Sequence, residues 1–284
     1  MLQYARGASQ FQIGNDISLL QGGSEAAGTQ TLSQILTTLS LTTNLKLCLD
    51  AGDSASYSSG QSWLDRSGGG FDFFRGATSG AEASDPTFNG SAGGLSSSEY
   101  WSFDGGDYFL YDSAQETWMD ALHKDNAIWS WCAWAYFGSV ATAQAVIGDA
   151  QGVGNGVGVS VYVNSTASYK LRVHNTGQAI DLTFATTTVS AGAWHFLAGS
   201  LNEATGANGA NLFLDGTNEQ FTSTYTSPAA GTATGALRLG GTGNNTSLLQ
   251  SGSRLAEVAM WQGTALTPTD LTNIFNASKG RFGL

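Results

Sequence analysis

Carboxylate side chains are the first residues to consider for chemistry, because two acids held at a fixed separation can hydrolyse a glycosidic bond. Alternation along a strand would aim such a pair into one cleft. Here Glu257 stands alone in the segment RLAEVAMW. The other glutamates are scattered singly, at Glu25, Glu82, Glu99, Glu116, Glu203 and Glu219. The sequence therefore predicts no catalytic residues and a protein that is not an enzyme.

Histidine and cysteine form no metal-binding or nucleophile pattern. His123, His174 and His195 lie far apart, and the chain has neither a Cys/His ligand spacing nor a Gly-x-Ser-x-Gly elbow. We interpret His195 as structural. Cys48 and Cys132 cannot make a disulfide framework and are expected to be buried thiols.

Loop residues with amide or carboxylate groups could bind a sugar. Sugar sites combine such groups with an exposed aromatic ring, whereas plain polar loops are the alternative interpretation. The candidates are Asp149, Asn155, Asn244 and Asn245.

Composition excludes several classes of partner. The formal net charge is −11, which argues against a basic face for nucleic-acid phosphates or anionic membranes. No apolar run reaches the roughly 18 residues that a membrane span needs. No secretion signal is visible in residues 1–14. We expect neither a nucleic-acid partner nor membrane insertion.

Strands are the elements that must position these residues. From residue 45 onward, apolar and polar residues alternate in one short segment after another. Segment 128–137 is apolar on both faces, with Trp129 and Trp131 on one and Cys132 and Trp134 on the other, which indicates a covered central strand. About a dozen such strands bury their apolar faces most simply as two packed sheets. One helix is predicted after Thr267.

Residues 1–44 differ from the rest and predict an extended N-terminal arm, followed by a sandwich over residues 45–284. A short helix is predicted after Thr31, from the 3/4 spacing of the apolar residues there. An upstream apolar cluster cannot bury itself within so short a segment. We predict that it docks on another subunit, and packing on the chain's own sandwich is the alternative. The cluster is Ile13, Ile17, Leu19 and Leu20.

Four regions carry a resemblance to a known family. They are LCLDAGD (47–53) with WLDRSG (63–68), WSFDGGDY (101–108), AWHFLAG (193–199) with NLFLDG (211–216), and LAEVAMW (255–261) with the helix after Thr267. In this order they resemble the concanavalin A-like, laminin-G-type jelly-roll family, with departures at Phe213, Ala256 and Asp270. The resemblance implies an all-β, two-sheet antiparallel jelly-roll sandwich. It also implies a hairpin over residues 101–108.

The same resemblance implies a candidate calcium site. Laminin-G-type domains often hold one Ca²⁺ at the rim of a sheet, through Asp side chains and backbone carbonyls. Asp104, Asp107 and Asp149 are the candidate ligands. Asp-Gly turns also form without metal, because Asp accepts hydrogen bonds from nearby backbone. We expect no required cofactor, with Ca²⁺ as the one candidate.

Function stays open at this stage, because one fold serves many activities. The first expectation is a non-enzymatic virion structural protein, either a phage capsid decoration protein or a tail or fibre adhesin with a lectin-like outer domain. It would be made in the host cytoplasm and lie on the virion surface. Its partners would be other virion proteins or further copies of itself, and a cell-surface glycan. The alternative is an extracellular bacterial carbohydrate-binding or adhesion module, and the weaker alternative is an endo-glycanase.

Overall fold

The computed structural model describes residues 30–111, 117–174, 178–205, 209–222, 233 and 235–284. The strands are β1 (Leu45–Asp50), β2 (Ser62–Trp63), β3 (Phe73–Arg75), β4 (Thr87–Asn89), β5 (Tyr100–Ser102), β6 (Phe109–Tyr111), β7 (Ile128–Tyr136), β8 (Gln144–Gly148), β9 (Gly158–Val163), β10 (Tyr169–His174), β11 (Gln178–Thr183), β12 (Trp194–Asn202), β13 (Ala210–Leu214), β14 (Thr217–Phe221), β15 (Arg238–Leu239) and β16 (Arg254–Gln262). The helices are α1 (Leu32–Thr38), α2 (Thr117–Asp120) and α3 (Pro268–Ser278), and short 3₁₀ turns follow at Glu203–Thr205 and Lys279–Phe282. No helix in the described ranges is long and apolar enough to cross a membrane.

The strands form two antiparallel sheets of eight strands each. Sheet I has the order β14-β13-β12-β7-β16-β5-β4, and β1 pairs with β16. Sheet II has the order β11-β10-β9-β8-β15-β6-β3-β2. The predicted all-β jelly-roll sandwich is confirmed.

Two apolar clusters stabilise the sandwich, and β7 contributes to both. Trp129 and Trp131 lie in the large core between the sheets. Cys132 and Trp134, on the other face of β7, pack in a second core that α1, α3 and the C-terminal 3₁₀ turn cover. The prediction that this strand is covered on both faces is therefore confirmed.

One implied hairpin is not formed. The region 101–108 was expected to fold back on itself, but β5 pairs with β4 and β16 in sheet I, whereas β6 pairs with β3 and β15 in sheet II. The turn at Asp104–Asp107 thus carries the chain from one sheet to the other. Trp101, Phe103 and Phe109 all enter the core between the sheets, so the crossing buries apolar residues of both strands. The implied β12–β13 hairpin is confirmed.

Part of the predicted arm packs on the sandwich. Thr31 caps α1 as expected, and Leu32, Ile35 and Leu36 are buried. The Leu32 backbone N–H also donates to Oδ2 of Asp50 in β1, at 2.9 Å. That residues 45–284 fold without this helix remains a prediction. The proposed docking cluster, with Ile13, Ile17, Leu19 and Leu20, lies outside the described residues.

Candidate functional site

Two loops meet at one end of the sandwich and form what we call the rim. They are residues 149–157, between β8 and β9, and residues 240–249, which follow β15. The Gly243 backbone N–H donates to the Ala150 carbonyl at 2.7 Å. The Thr242 and Thr246 hydroxyls both donate to the Gln151 carbonyl, at 3.3 and 3.1 Å. These bonds hold the two loops in a fixed relation.

The close approach of the loops depends on glycine at position 243. A Cβ atom there would lie 2.3 Å from the Asp149 carbonyl oxygen, which is fixed backbone and cannot move aside. Glycine is the one residue that lets the two backbones meet at this distance.

The rim presents three of the predicted sugar-binding side chains to solvent. Asn155 belongs to the first loop, and Asn244 and Asn245 belong to the second, and all three are exposed. Their side-chain amides make no hydrogen bond to other described residues, so both the donor and the acceptor of each amide are available to a ligand. Two regions far apart in sequence therefore contribute to one polar surface.

The fourth predicted residue, Asp149, does not join this surface. Its side chain is buried, and Oδ1 accepts a hydrogen bond from the Val159 backbone N–H at 2.6 Å. We interpret Asp149 as a structural residue that fixes the path of the chain from β8 into β9. Sequence alone did not separate this role from ligand binding, because both use Asp beside glycine-rich loops.

Two arginines support the rim from beneath. Arg172 in β10 donates through Nη1 to the Val153 carbonyl at 2.6 Å, and its guanidinium also pairs with Asp181. Arg238 in β15 donates to the Thr242 carbonyl at 3.4 Å, and its guanidinium carbon lies 5.1 Å from the ring centroid of Tyr108. These side chains are committed to the scaffold, so the side chains that the rim leaves open to a ligand are its amides and not these cations.

The three candidate calcium ligands do not converge. Asp107 Oδ2 accepts from the Asp104 backbone N–H at 2.8 Å, and Asp104 Oδ1 accepts from the Gly106 N–H at 2.7 Å. Asp149 lies elsewhere, at the end of β8. Among the described residues, no group of three or more His, Cys, Asp or Glu side chains could hold a metal ion. Ca²⁺ binding stays a prediction, and these hydrogen bonds do not favour it, because Ca²⁺ takes six to eight oxygen ligands.

A Ser-His-Asp contact resembles a hydrolase triad in its distances alone. His195 Nδ1 lies 2.6 Å from Asp215 Oδ2, and Nε2 lies 3.1 Å from the Ser190 hydroxyl oxygen. Nε2 also lies 3.0 Å from the backbone carbonyl oxygen of Ser190, which can only accept. Asp215 and this backbone carbonyl thus hold the buried ring from both sides. We therefore keep His195 as a structural residue that links β12 to the turn after β13.

Glu257 lies in a buried ionic cluster on the covered face of sheet I. Arg281 Nη1 donates to Glu257 Oε1 at 2.6 Å and to Asp50 Oδ1 at 2.7 Å. Arg281 also donates to the Ser96 and Glu99 carbonyls, at 3.0 and 3.1 Å. Burial and the neighbouring Asp50 raise the pKa of Glu257 to about 8, although Arg281 opposes the shift. A solute cannot reach this carboxyl group, which is 1% exposed beneath the C-terminal segment.

One surface was missed by the sequence analysis. Thr87, Ser102, Arg254, Tyr136 and Trp194 are register partners across five neighbouring strands, β4, β5, β16, β7 and β12. Directly paired residues point to the same face of a sheet. Paired strands of this surface lie as far apart in the sequence as Ser102 and Arg254, so strand pairing alone brings these residues together. The sequence signal was limited to alternation in β5 and β16, where Trp101 and Leu255 enter the core between the sheets and Ser102 and Arg254 lie on the opposite face.

Comparisons with known proteins agree with this fold. The sequence profile of the concanavalin A-like lectin/glucanases superfamily matches residues 105–272, which is more than half of the chain. No protein in the curated collection matches the sequence. Solved structures do match, with 10–14% identity in the three described next, and at this level they show the fold alone.

The first of these structures is the binding domain of botulinum neurotoxin DC in complex with SialylT, with a TM-score of 0.56 and 10% identity. It covers 83% of this chain and 52% of that chain. The second is Trypanosoma rangeli sialidase in complex with sialic acid, with a TM-score of 0.54 and 11% identity, covering 85% and 34%. This chain thus spans about half of the first structure and a third of the second.

The third is domain 4 of AbnA, an extracellular arabinanase from Geobacillus stearothermophilus, in complex with arabinotriose. Its TM-score is 0.54 at 14% identity, and the match covers 81% of this chain and 98% of that domain. Binding domains and an enzyme therefore share the fold, so the likeness does not decide between binding and catalysis. The profile match over residues 105–272, together with the two-sheet jelly roll, shows that this chain belongs to the concanavalin A-like lectin/glucanase superfamily.

Proposed function

We propose that this protein is a non-catalytic glycan-binding module whose binding surface is the rim. The observation that carries the proposal is the convergence of Asn155, Asn244 and Asn245, whose exposed amides have no other hydrogen-bonding partner in the described ranges. An amide can donate to one sugar hydroxyl and accept from another at the same time. Two loops fixed by backbone hydrogen bonds present these groups in one arrangement, which lowers the entropic penalty of binding.

The relatives support a glycan as the ligand. The neurotoxin binding domain and domain 4 of AbnA are described in complex with SialylT and arabinotriose. Domain 4 of AbnA is also close in extent to this chain, because the match covers 98% of it.

The burial of Glu257 supports the non-catalytic part of the proposal. Retaining and inverting glycosidases both need two carboxyl groups that flank the scissile bond. Glu257 and its neighbour Asp50 are both bonded to Arg281 and covered by the C-terminal segment. Hydrolysis of a glycosidic bond by this protein would need a different pair of carboxyl groups, accessible at the surface.

Loss of the rim amides is the direct test. The double substitution Asn155→Ala and Asn244→Ala is expected to weaken binding of neutral oligosaccharides by about tenfold or more, because each lost polar contact contributes roughly 0.5–1.5 kcal/mol. Binding is measured by calorimetry with arabino-, xylo- and β-gluco-oligosaccharides, and reducing ends are assayed in the same mixtures. Asn276→Ala is the matched control, because Asn276 is an exposed asparagine on α3. Unchanged affinity in the double variant, no binding of any member by the wild-type chain, or released reducing ends would contradict the proposal.

A narrower proposal is that the module works on the surface of a virion. The acidic net charge and the apolar cluster in residues 13–20 support this proposal. The three solved structures named above do not, because none of them is a virion protein. Changing Ile17 and Leu19 to Asp is expected to abolish incorporation into particles, because buried charge would oppose docking. The measurement is co-sedimentation with purified particles, with glycan binding as the check of folding. Normal incorporation of the double variant would sink the docking role.

A further inference from the structure

The register partners that run across sheet I from Thr87 to Trp194 include part of an aromatic cluster, which we call the platform. It consists of Tyr100, Tyr136, Trp194 and Arg254. Trp194 contacts both tyrosine rings edge-on, at centroid distances of 6.0 Å to Tyr100 and 5.8 Å to Tyr136. Trp194 is itself held from behind by Phe282, at 4.9 Å. The two tyrosines are half-buried and therefore fixed by packing while part of each ring remains accessible.

Arg254 is held between the two tyrosines. Its guanidinium carbon lies 4.5 Å from the centroid of Tyr100 and 4.4 Å from the centroid of Tyr136. Cation–π contacts at these distances use the flat faces of the guanidinium and leave its edge, which carries the N–H donors, uncovered.

The donors of Arg254 are unused in the described part of the chain. Every other described arginine makes a hydrogen bond or ion pair: Arg66 with Asp53, Arg75 with the Pro86 carbonyl, and likewise Arg172, Arg238 and Arg281. Arg254 makes neither to any described residue, and it is half-buried rather than free in solvent. An oriented guanidinium fork without a partner is suited to a planar, bidentate acceptor such as a carboxylate.

Neutral polar groups continue the row beyond the cation. Asn89 Nδ2 donates to the Ser102 hydroxyl at 3.0 Å and to the Thr87 carbonyl at 2.9 Å. Asn89 Oδ1 accepts no hydrogen bond from the described residues, so it can accept from a ligand hydroxyl. Ser102 is the register partner of Arg254, so these polar groups lie on the neighbouring strands and on the same face of the sheet.

We propose that the platform is a second binding site, separate from the rim, and that its ligand is an acidic saccharide. The carboxylate of the saccharide would accept hydrogen bonds from the N–H groups of Arg254. The C–H face of the sugar ring would pack on the ring of Tyr100 or Tyr136, and a sugar hydroxyl would donate to Asn89 Oδ1. An acidic ligand is favoured because this cation has no counter-ion among the described residues, although the chain as a whole carries a net charge of −11. A neutral sugar would leave the fork without an acceptor, and an extended acidic peptide would leave the aromatic faces without a flat partner.

The test compares an acid with its neutral ester. Calorimetry is run with trigalacturonate, with the methyl ester of the same trisaccharide, and with 3′-sialyllactose against lactose, which separates uronic from sialic acids. The wild-type chain is expected to bind at least one acid more tightly than its neutral counterpart, and to lose this preference at high salt. Arg254→Met is expected to lower that affinity by more than about tenfold, and Arg254→Lys by about fivefold, because lysine keeps the charge but loses the fork.

Two controls keep the outcome clear. Arg66→Met removes a cation whose side chain is 42% exposed and paired with Asp53, and it should leave acid binding unchanged. The rim variant Asn155→Ala with Asn244→Ala should also leave acid binding unchanged, so failure of the rim proposal and of the platform proposal are distinguishable. Equal affinity for acid and ester, no binding of either acid by the wild-type chain, or full binding by Arg254→Met would overturn the inference. Arg254→Lys covers the case in which Arg254→Met does not fold.

Discussion

Replacing Arg281 with methionine is expected to lower the free energy of unfolding by about 3–5 kcal/mol, because removing one partner of a buried ion pair leaves a charge without compensation. The substitution would leave Asp50 and Glu257 facing each other in the second core, and each is 1% exposed. It would also remove the donors to the Ser96 and Glu99 carbonyls, which hold the segment before β5 to the C-terminal turn. Urea denaturation at neutral pH measures the difference.

The control and a partial rescue follow from the same contacts. Arg66→Met breaks an ion pair near the surface and is expected to change stability by less than about 1 kcal/mol. Adding Asp50→Asn to Arg281→Met should recover part of the lost stability, since this change removes the carboxylate that has lost its cation. A loss of under about 1 kcal/mol in Arg281→Met would show that the cluster does not stabilise the fold.

Stability of the wild-type chain is expected to fall by about 1–2 kcal/mol between pH 6.5 and 8, because the folded state keeps a proton that the unfolded state has lost. Burial raises the pKa of Glu257 from an ordinary 4.5 to about 8. A raised carboxyl pKa means that the folded state binds more protons in this window, so each rise in pH favours unfolding. The decline should level off above pH 8, once Glu257 is ionised in both states.

Other titrating groups are separable from Glu257. Burial also raises the pKa of Asp107, to about 7, so Asp107→Asn should remove its part of the decline below that pH. Burial lowers the pKa of His174 to about 4, so the folded state binds fewer protons there and stability rises with pH up to about 6.5. Chemical denaturation at several pH values, repeated for Glu257→Gln, is the measurement. A decline above pH 7 that persists in Glu257→Gln would assign the effect to another group.

The fold was predictable where one local signal decided the outcome. Alternation fixed the inward face of β7, and Thr267 with Pro268 fixed the start of α3, where both the side-chain cap and the proline position are observed. The path through Asp104–Asp107 was not predictable in this way, because the same turn can join two paired strands or two sheets. That choice depends on where Trp101 and Phe109 are buried, which is a property of the whole sandwich.

The candidate sites were predictable only in part, for a similar reason. Loop composition identified Asn155, Asn244 and Asn245, since exposed amides in glycine-rich loops are visible in the sequence. It could not distinguish Asp149, whose carboxylate is buried against the Val159 N–H. The contact of Arg254 with Tyr136 depends on the register between β16 and β7, and no local pattern encodes a pairing between strands so far apart.

The position of β16 in sheet I constrains when the protein can fold. The last strand in the sequence lies in the interior of its sheet, with β7 along one edge and both β5 and β1 along the other. Until β16 has left the ribosome, β1 and β7 lack a shared neighbour, and their backbone N–H and C=O groups remain open to other chains. Such long-range pairing makes folding slow. Premature termination before residue 254 would therefore give aggregation-prone fragments rather than a smaller stable domain.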